Sequence, residues 1–294
     1  MDAANPSAMP TSASRAPIHL GAVGLTVRDF DRLTAYYRDL LGLTVLEQSP
    51  QAVTLGVDGL ALLVLTRRTD ALPDDAREAG LYHTAFLMPT RADLARWILH
   101  VAKARVPVAG ASDHDVSEAI YLDDPEGNGV EVYSDRPRER WRRDGGTIFQ
   151  KTDPLDVDAI LAEIDPATAV YTGAPGGLRV GHIHLRAGDI AKAEAFYGGA
   201  LGLDVTRRRG GASFLSSGGY HHHVAVNTWH SDGAGARDGA RAGLDWFALE
   251  IGDRATLDGV KERLAAAGVA IDAMPGGFAA SDPWGTRIRF LLAA

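Results

Sequence analysis

The chain has 294 residues, 46% hydrophobic and 23% charged, which is ample for the packed interior of one large domain or two of about 150 residues. Its 30 basic and 38 acidic residues give a formal charge of −8 with no long basic block, which argues against nucleic acid as a partner. It has no cysteine, so disulfides, thiolate metal sites, iron–sulfur clusters and cysteine nucleophiles are excluded, and any transition metal must be held by carboxylates and the 10 histidines.

Residues 1–16 are small, polar and Pro-containing and read as a disordered tail without the apolar stretch of a signal peptide. GAVGLTV then reads as a strand, RDFDRLTAYYRDLLG as an amphipathic helix, and LTVLEQ, AVTLGV and ALLVLTR as three short strands, giving β-α-β-β-β. The order recurs from YHTAFLMP, through the helix TRADLARWILHVAKA with Thr90 as N-cap, to strands ending in GVEVYS. It recurs again from VGHIHLRA and from LDWFALEI, which places four units at 20–66, 81–135, 180–230 and 243–292. The domain division is a first domain at 17–135, a linker at 136–177 containing RPRERWRRDGG and a weak helix near 155–164, and a second domain at 178–294. No apolar run approaches the roughly 18–20 residues that cross a bilayer, so no membrane partner and a cytoplasmic location are expected.

The halves are similar in detail. LTVRDFDRLTAYYRDLLGLTV at 25–45 matches LRAGDIAKAEAFYGGALGLDV at 185–205 with a constant offset of 160, aligning Asp29, Tyr37 and Gly42 with Asp189, Tyr197 and Gly202. Asp124, Pro125 and Gly127 pair with Asp282, Pro283 and Gly285 at an offset of 158. In DPEGNG the Asp, Pro, Gly and Asn suit a tight hairpin without any functional reading.

Four β-α-β-β-β units, this repeated helix signature, DPEGNGVE and GYHHHVAVNTW together resemble the vicinal oxygen chelate superfamily, and within it the catechol 2,3-dioxygenase branch. The resemblance implies an α+β fold of two cupped, eight-stranded mixed half-barrels, with metal ligands projecting from the first and fourth strands of a unit. Unit one offers only Ala22 and the surroundings of Val64. Unit two offers His83 and Glu131, unit three His182, and unit four Trp246 and Arg289 where unit two has His83 and Glu131. The surviving set, His83, Glu131 and His182, is the two-histidine, one-carboxylate set of nonheme Fe(II), with Mn(II) equally suited. Units two and three must then share a cup if one chain completes the site, leaving units one and four as a structural cup; the opposite pairing would need a swapped dimer.

The resemblance further implies an extradiol ring-cleaving dioxygenase that takes a small aromatic diol and O2 to a ring-opened semialdehyde. His223, the last of the run at 221–223, matches the acid–base position, Tyr121 the orienting tyrosine, and His114 a further upstream histidine whose spacing is off by about two residues. Alternation puts His221 and His223 on one side and His222 on the other. His184 is a neighbour of the ligands or a packing residue, His100 and His230 read as surface residues, and His19 carries no clear signal. A glyoxalase-like isomerase or lyase is one alternative and normally needs a fourth ligand on the strand of the histidine run. A non-catalytic small-molecule binding protein is the other. Homo-oligomerisation is left open, as is the role of the loops at 206–219 and 231–243.

Overall fold

The computed structural model describes Thr11 and residues 13–293. Unit one comprises β1 (Ile18–Val27), α1 (Phe30–Leu41), β2 (Thr44–Gln48), β3 (Ala52–Val57) and β4 (Leu60–Arg67). Unit two comprises β5 (Gly80–Leu87), α2 (Arg91–Ala104), β6 (Gly110–Asp113), β7 (Ser117–Asp123) and β8 (Gly129–Asp135). The connection carries a small hairpin, β9 (Arg143–Asp144) and β10 (Thr147–Ile148), then α3 (Val157–Leu161). Unit three follows with β11 (Arg179–Arg186), α4 (Ile190–Ala193) widening into a π-helical segment over Glu194–Ala200, β12 (Asp204–Arg209), β13 (Ala212–Ser216) and β14 (Val224–Asn227). Unit four closes with β15 (Gly243–Ile251), α5 (Arg254–Ala266), β16 (Asp272–Met274), β17 (Gly277–Ser281) and β18 (Arg287–Leu292).

The helices start where short acceptors satisfy free backbone N–H groups. Asp29 accepts from Arg32, Thr90 from Asp93 and Asp189 from Lys192. Gly42, at φ 68°, ends α1 in the left-handed region, where glycine has no Cβ penalty.

Two eight-stranded mixed sheets result, in the orders β16-β17-β18-β15-β1-β4-β3-β2 and β12-β13-β14-β11-β5-β8-β7-β6. Units one and four thus build one sheet, and units two and three the other. Each sheet draws one unit from each sequence half, joined by an antiparallel central pair: β1 with β15, and β11 with β5. Alternation gives each strand of the second sheet two distinct faces. Phe86, Val130, Val132, Ile183 and Leu185 enter the main apolar core, while His83, Glu131, His182 and His184 occupy intervening positions.

Of the expected tail, residues 1–10 and 12 lie outside the described ones. Ala13 is buried against a smaller cluster that includes Tyr133, Trp141 and Tyr220, so the segment just before β1 is packed.

The two repeated sequence signatures are the two halves of one contact. The Tyr37 hydroxyl on α1 donates to Asp124 in the turn between β7 and β8 at 2.9 Å, and the Tyr197 hydroxyl donates to Asp282 between β17 and β18 at 2.8 Å. Each bond ties a helix of one sheet to a turn of the other. Burial raises the carboxyl pKa of Asp124 and of Asp282, against hydrogen bonds that favour the carboxylates. Tyr37→Phe and Tyr197→Phe remove one such donor and raise the folded-state pKa further. Each should therefore cost about 1.5–3 kcal/mol at pH 7, with the loss shrinking as pH falls through the raised folded-state carboxyl pKa and small by pH about 4, where the acid is largely protonated in the folded state; denaturant titrations at the two pH values measure this.

Candidate metal centre

The centre is assembled across the β5–β11 seam. Ala85 on β5 pairs with His182 on β11 and, on its other side, with Glu131 on β8, while His83 lies two residues back along β5. Three side chains therefore converge above a methyl group, the smallest side chain that keeps the strand regular. His83 Nε2 lies 3.0 Å and His182 Nε2 3.2 Å from the same Glu131 oxygen. One donor atom from each of the three lies within 4.8 Å of the others, and all three residues are buried.

The donor set fits a divalent transition metal. Burial alone would raise the Glu131 pKa, but the His182 and His83 imidazoles outweigh it and hold the carboxyl well below its usual range. Burial pushes His182 down to about 4 despite Glu131, so this imidazole is neutral and available as a ligand at neutral pH. His83 Nε2 is buried and, among the described residues, lacks a hydrogen-bond partner despite its closeness to Glu131, because the contact is poorly directed. An orphaned imidazole nitrogen beside a carboxylate and a second imidazole is a donor set that a divalent ion would satisfy.

The group lies in a cavity of about 760 Å³. Tyr82, Phe214 and Trp229 supply aromatic wall, with Tyr82 edge-on to Trp229 at 5.3 Å between centroids. Tyr121 and His114 also line it, and the two are joined: His114 Nε2 is 2.6 Å from the Tyr121 hydroxyl, and Nδ1 is 2.7 Å from the Lys151 carbonyl. A carbonyl only accepts, so the proton sits on Nδ1 and the tyrosine donates to Nε2. Burial, then the charge of Glu131, pushes the Tyr121 pKa well above 10, keeping it a neutral phenol. The histidine whose spacing was irregular is thus placed by its hydrogen bonds.

The assignment of the acid–base position to His223 is corrected by its surroundings. The three histidines do not lie on a strand; they form the bend that leads into β14. His223 is fully buried, with Nδ1 accepting from the Ser217 N–H at 3.2 Å and Nε2 donating to the Ala13 carbonyl at 3.1 Å. Both ring nitrogens are occupied and it does not line the cavity. His222 does line it, with its ring centroid 4.1 Å from that of His182.

His222 has a defined tautomer. Asp135 Oδ1 accepts from the Tyr220 hydroxyl at 3.1 Å and from His221 Nε2 at 3.0 Å. His221 must then accept at Nδ1, so His222 donates from Nδ1 across 2.8 Å and keeps a lone pair on Nε2. This His222–His221–Asp135 chain has no sequence signal beyond the histidine run itself. His184 opposes His83 across the seam and accepts from the Asn227 amide at 3.0 Å, which removes that nitrogen from ligation. His100 is half-buried rather than fully exposed, stacked on Tyr171 and bonded to the Asp39 carbonyl. His19 pairs with Glu250, and His230 is exposed.

In the other sheet, Trp246 and Arg289 hold the positions equivalent to His83 and Glu131, and the Arg289 guanidinium lies 3.5 Å from the centroid of the indole ring. A cation–π pair fills the place of a metal.

The chain belongs to the Glyoxalase/Bleomycin resistance protein/Dioxygenase superfamily, which matches residues 19–132 and 179–290. It is 35% identical over 280 residues to the catechol-2,3-dioxygenase of Bacillus subtilis (strain 168), covering 93% of this chain and 97% of the relative. It is 33% identical over 170 residues to biphenyl-2,3-diol 1,2-dioxygenase 3 of Rhodococcus globerulus, covering 51% of this chain and 81% of that one. The crystal structure of glyoxalase I from Zea mays shares the fold, with a TM-score of 0.54 at 16% identity over 95% of this chain and 94% of that one.

Gly181, at the β11 bulge, allows Tyr133 to approach; a Cβ there would collide with the tyrosine hydroxyl, and the Tyr133 ring packs on His182 at 4.9 Å. His83→Ala, Glu131→Ala and His182→Ala should each abolish stoichiometric binding of a divalent ion, and Gly181→Ala should weaken it about 10–100-fold through misplacement of His182. His223→Asn should cost stability while retaining the metal. Competition titration against a chromophoric chelator, with thermal unfolding alongside, measures all five.

Proposed function

We propose that the chain is an Fe(II)-dependent extradiol dioxygenase that cleaves a catechol-type ring beside its diol and incorporates both atoms of O2 to give a ring-opened semialdehyde. The observation that carries this reading is the buried His83–Glu131–His182 group in an aromatic-walled cavity. Similarity to two ring-diol dioxygenases supports it. Three protein ligands leave room for a bidentate diol and a gas molecule, and Val224–Asn227 offers no carboxylate as the fourth ligand of a glyoxalase-type site.

His83, Glu131 and His182 would hold the metal, Fe(II) in this reading and Mn(II) by the same donor logic. When bound, the metal supplies Lewis acidity toward the diol oxygens and redox chemistry toward O2. The protein groups supply orientation and proton transfer. Tyr82, Phe214 and Trp229 flank the aromatic ring and limit water. His222 takes the proton of a substrate hydroxyl on its free Nε2 and returns it to a dioxygen-derived oxygen as the O–O bond breaks, while His221 and Asp135 hold its tautomer. Tyr121, fixed by His114, orients the substrate from the β7 side. In this assignment His222 has the role that the resemblance gave to His223.

Anaerobic loading with Fe(II), then catechol and air, should produce a yellow semialdehyde with one O2 consumed per product. His222→Asn should lower kcat about 10²–10⁴-fold while metal content is retained, and His83→Ala should lose both. Absence of oxygen uptake across a panel of catechols would refute the assignment.

A further inference from the structure

Beyond the metal group and the aromatic wall, the cavity has side-chain donors without a protein partner among the described residues. Arg207 on β12 lies in one cross-sheet row with Phe214, Ala225, His184 and His83, so it belongs to the same cup as the ligands. It lines the cavity, and among the described residues its guanidinium has no hydrogen bond or carboxylate partner; its nearest ring contact is Phe149, 5.8 Å from the centroid. Partial burial, then the charge of Arg209, lowers its pKa. Among the described residues, the Arg209 side chain bonds the Thr152 hydroxyl alone. Gln150, next to Phe149, also lines the cavity, is 8% exposed, and has a buried Nε2 without a partner. Lys151 on the same stretch is already neutralised by Asp113 and Asp153.

The wall charges are therefore divided. Donors without a protein partner among the described residues stand on β12 and the segment after β10, while Asp123 stands on β7 at the far end of the same row, beyond His83. Resting on the dioxygenase reading above, we infer that Arg207 and Gln150 form a carboxylate subsite, and that the substrate is a catechol bearing a carboxylate on a side chain or second ring. A carboxylate would satisfy both the guanidinium fork and the orphaned amide. Four strand steps of about 4.8 Å separate His83 from Arg207 along the sheet, so the anion is remote from the diol rather than next to it.

The test compares 3-(3,4-dihydroxyphenyl)propionate with its methyl ester and with plain catechol, by anaerobic equilibrium binding to the Fe(II)-loaded protein and by kcat/KM in air. The acid should bind at least about tenfold more tightly than the ester, and added salt should narrow the gap. Arg207→Leu should bring the acid-to-ester ratio to about one, Arg207→Lys should restore part of it, and Gln150→Leu should lower it independently should Arg207→Leu fail to fold. An acid-to-ester ratio near one in the unmodified protein, with catechol turned over, overturns the subsite and leaves the dioxygenase intact. Failure to turn over any catechol overturns the dioxygenase reading, while the binding ratio, read without turnover, still decides the subsite.

Discussion

The antiparallel pairing of β5 with β11 is the constraint on which the site depends. Its register puts His184 opposite His83 and His182 opposite Ala85, and the parallel partner of Ala85 on β8 is Glu131. A shift of one residue in that pairing would turn His182 into the apolar core and bring Ile183 into the cup. The register is held by the apolar residues on the other face of the same strands, including Phe86 and Ile183, which are fully buried. Packing on one side of the sheet therefore fixes chemistry on the other.

The duplicated architecture then divides labour between two sheets of the same topology. The same positions that converge as His83 and Glu131 in one sheet are Trp246 and Arg289 in the other, where the pair is satisfied by its own cation–π contact. The two sheets are locked together by paired tyrosine–aspartate bonds, Tyr37 to Asp124 within the first half of the chain and Tyr197 to Asp282 within the second. Residues that look in sequence like two independent motifs are one interface, made twice.

Much of this could be read from the chain, for physical reasons. Strand alternation and the constant offset of the repeat exposed the four units; the family resemblance, applied position by position across them, singled out His83, Glu131 and His182, and that set in turn required units two and three to share a cup. The histidine run was harder to read because its neighbours, Tyr220 and Val224, fit a strand equally well. In the structure β14 begins at Val224, and the bend before it turns His222 to the cavity and His223 to Ala13. The hydrogen bonds that define the tautomer of His222 run through Asp135 and the adjacent His221, a pairing between β8 and a bend that no local pattern encodes. The contribution of the connecting segment was likewise hidden: Gln150 and Lys151 read as linker, yet they line the cavity because backbone bonds between Asp113 and Asp153 dock that segment on the edge of the sheet.

The central claim is that one chain completes a metal centre from units two and three. Anomalous diffraction at the iron edge, from crystals loaded anaerobically with Fe(II), tests it most directly. The account predicts one peak per chain, bounded by His83, Glu131 and His182 of that same chain, and none beside Trp246 and Arg289. A peak ligated by residues of two chains, or one that leaves Glu131 uncoordinated, would contradict it.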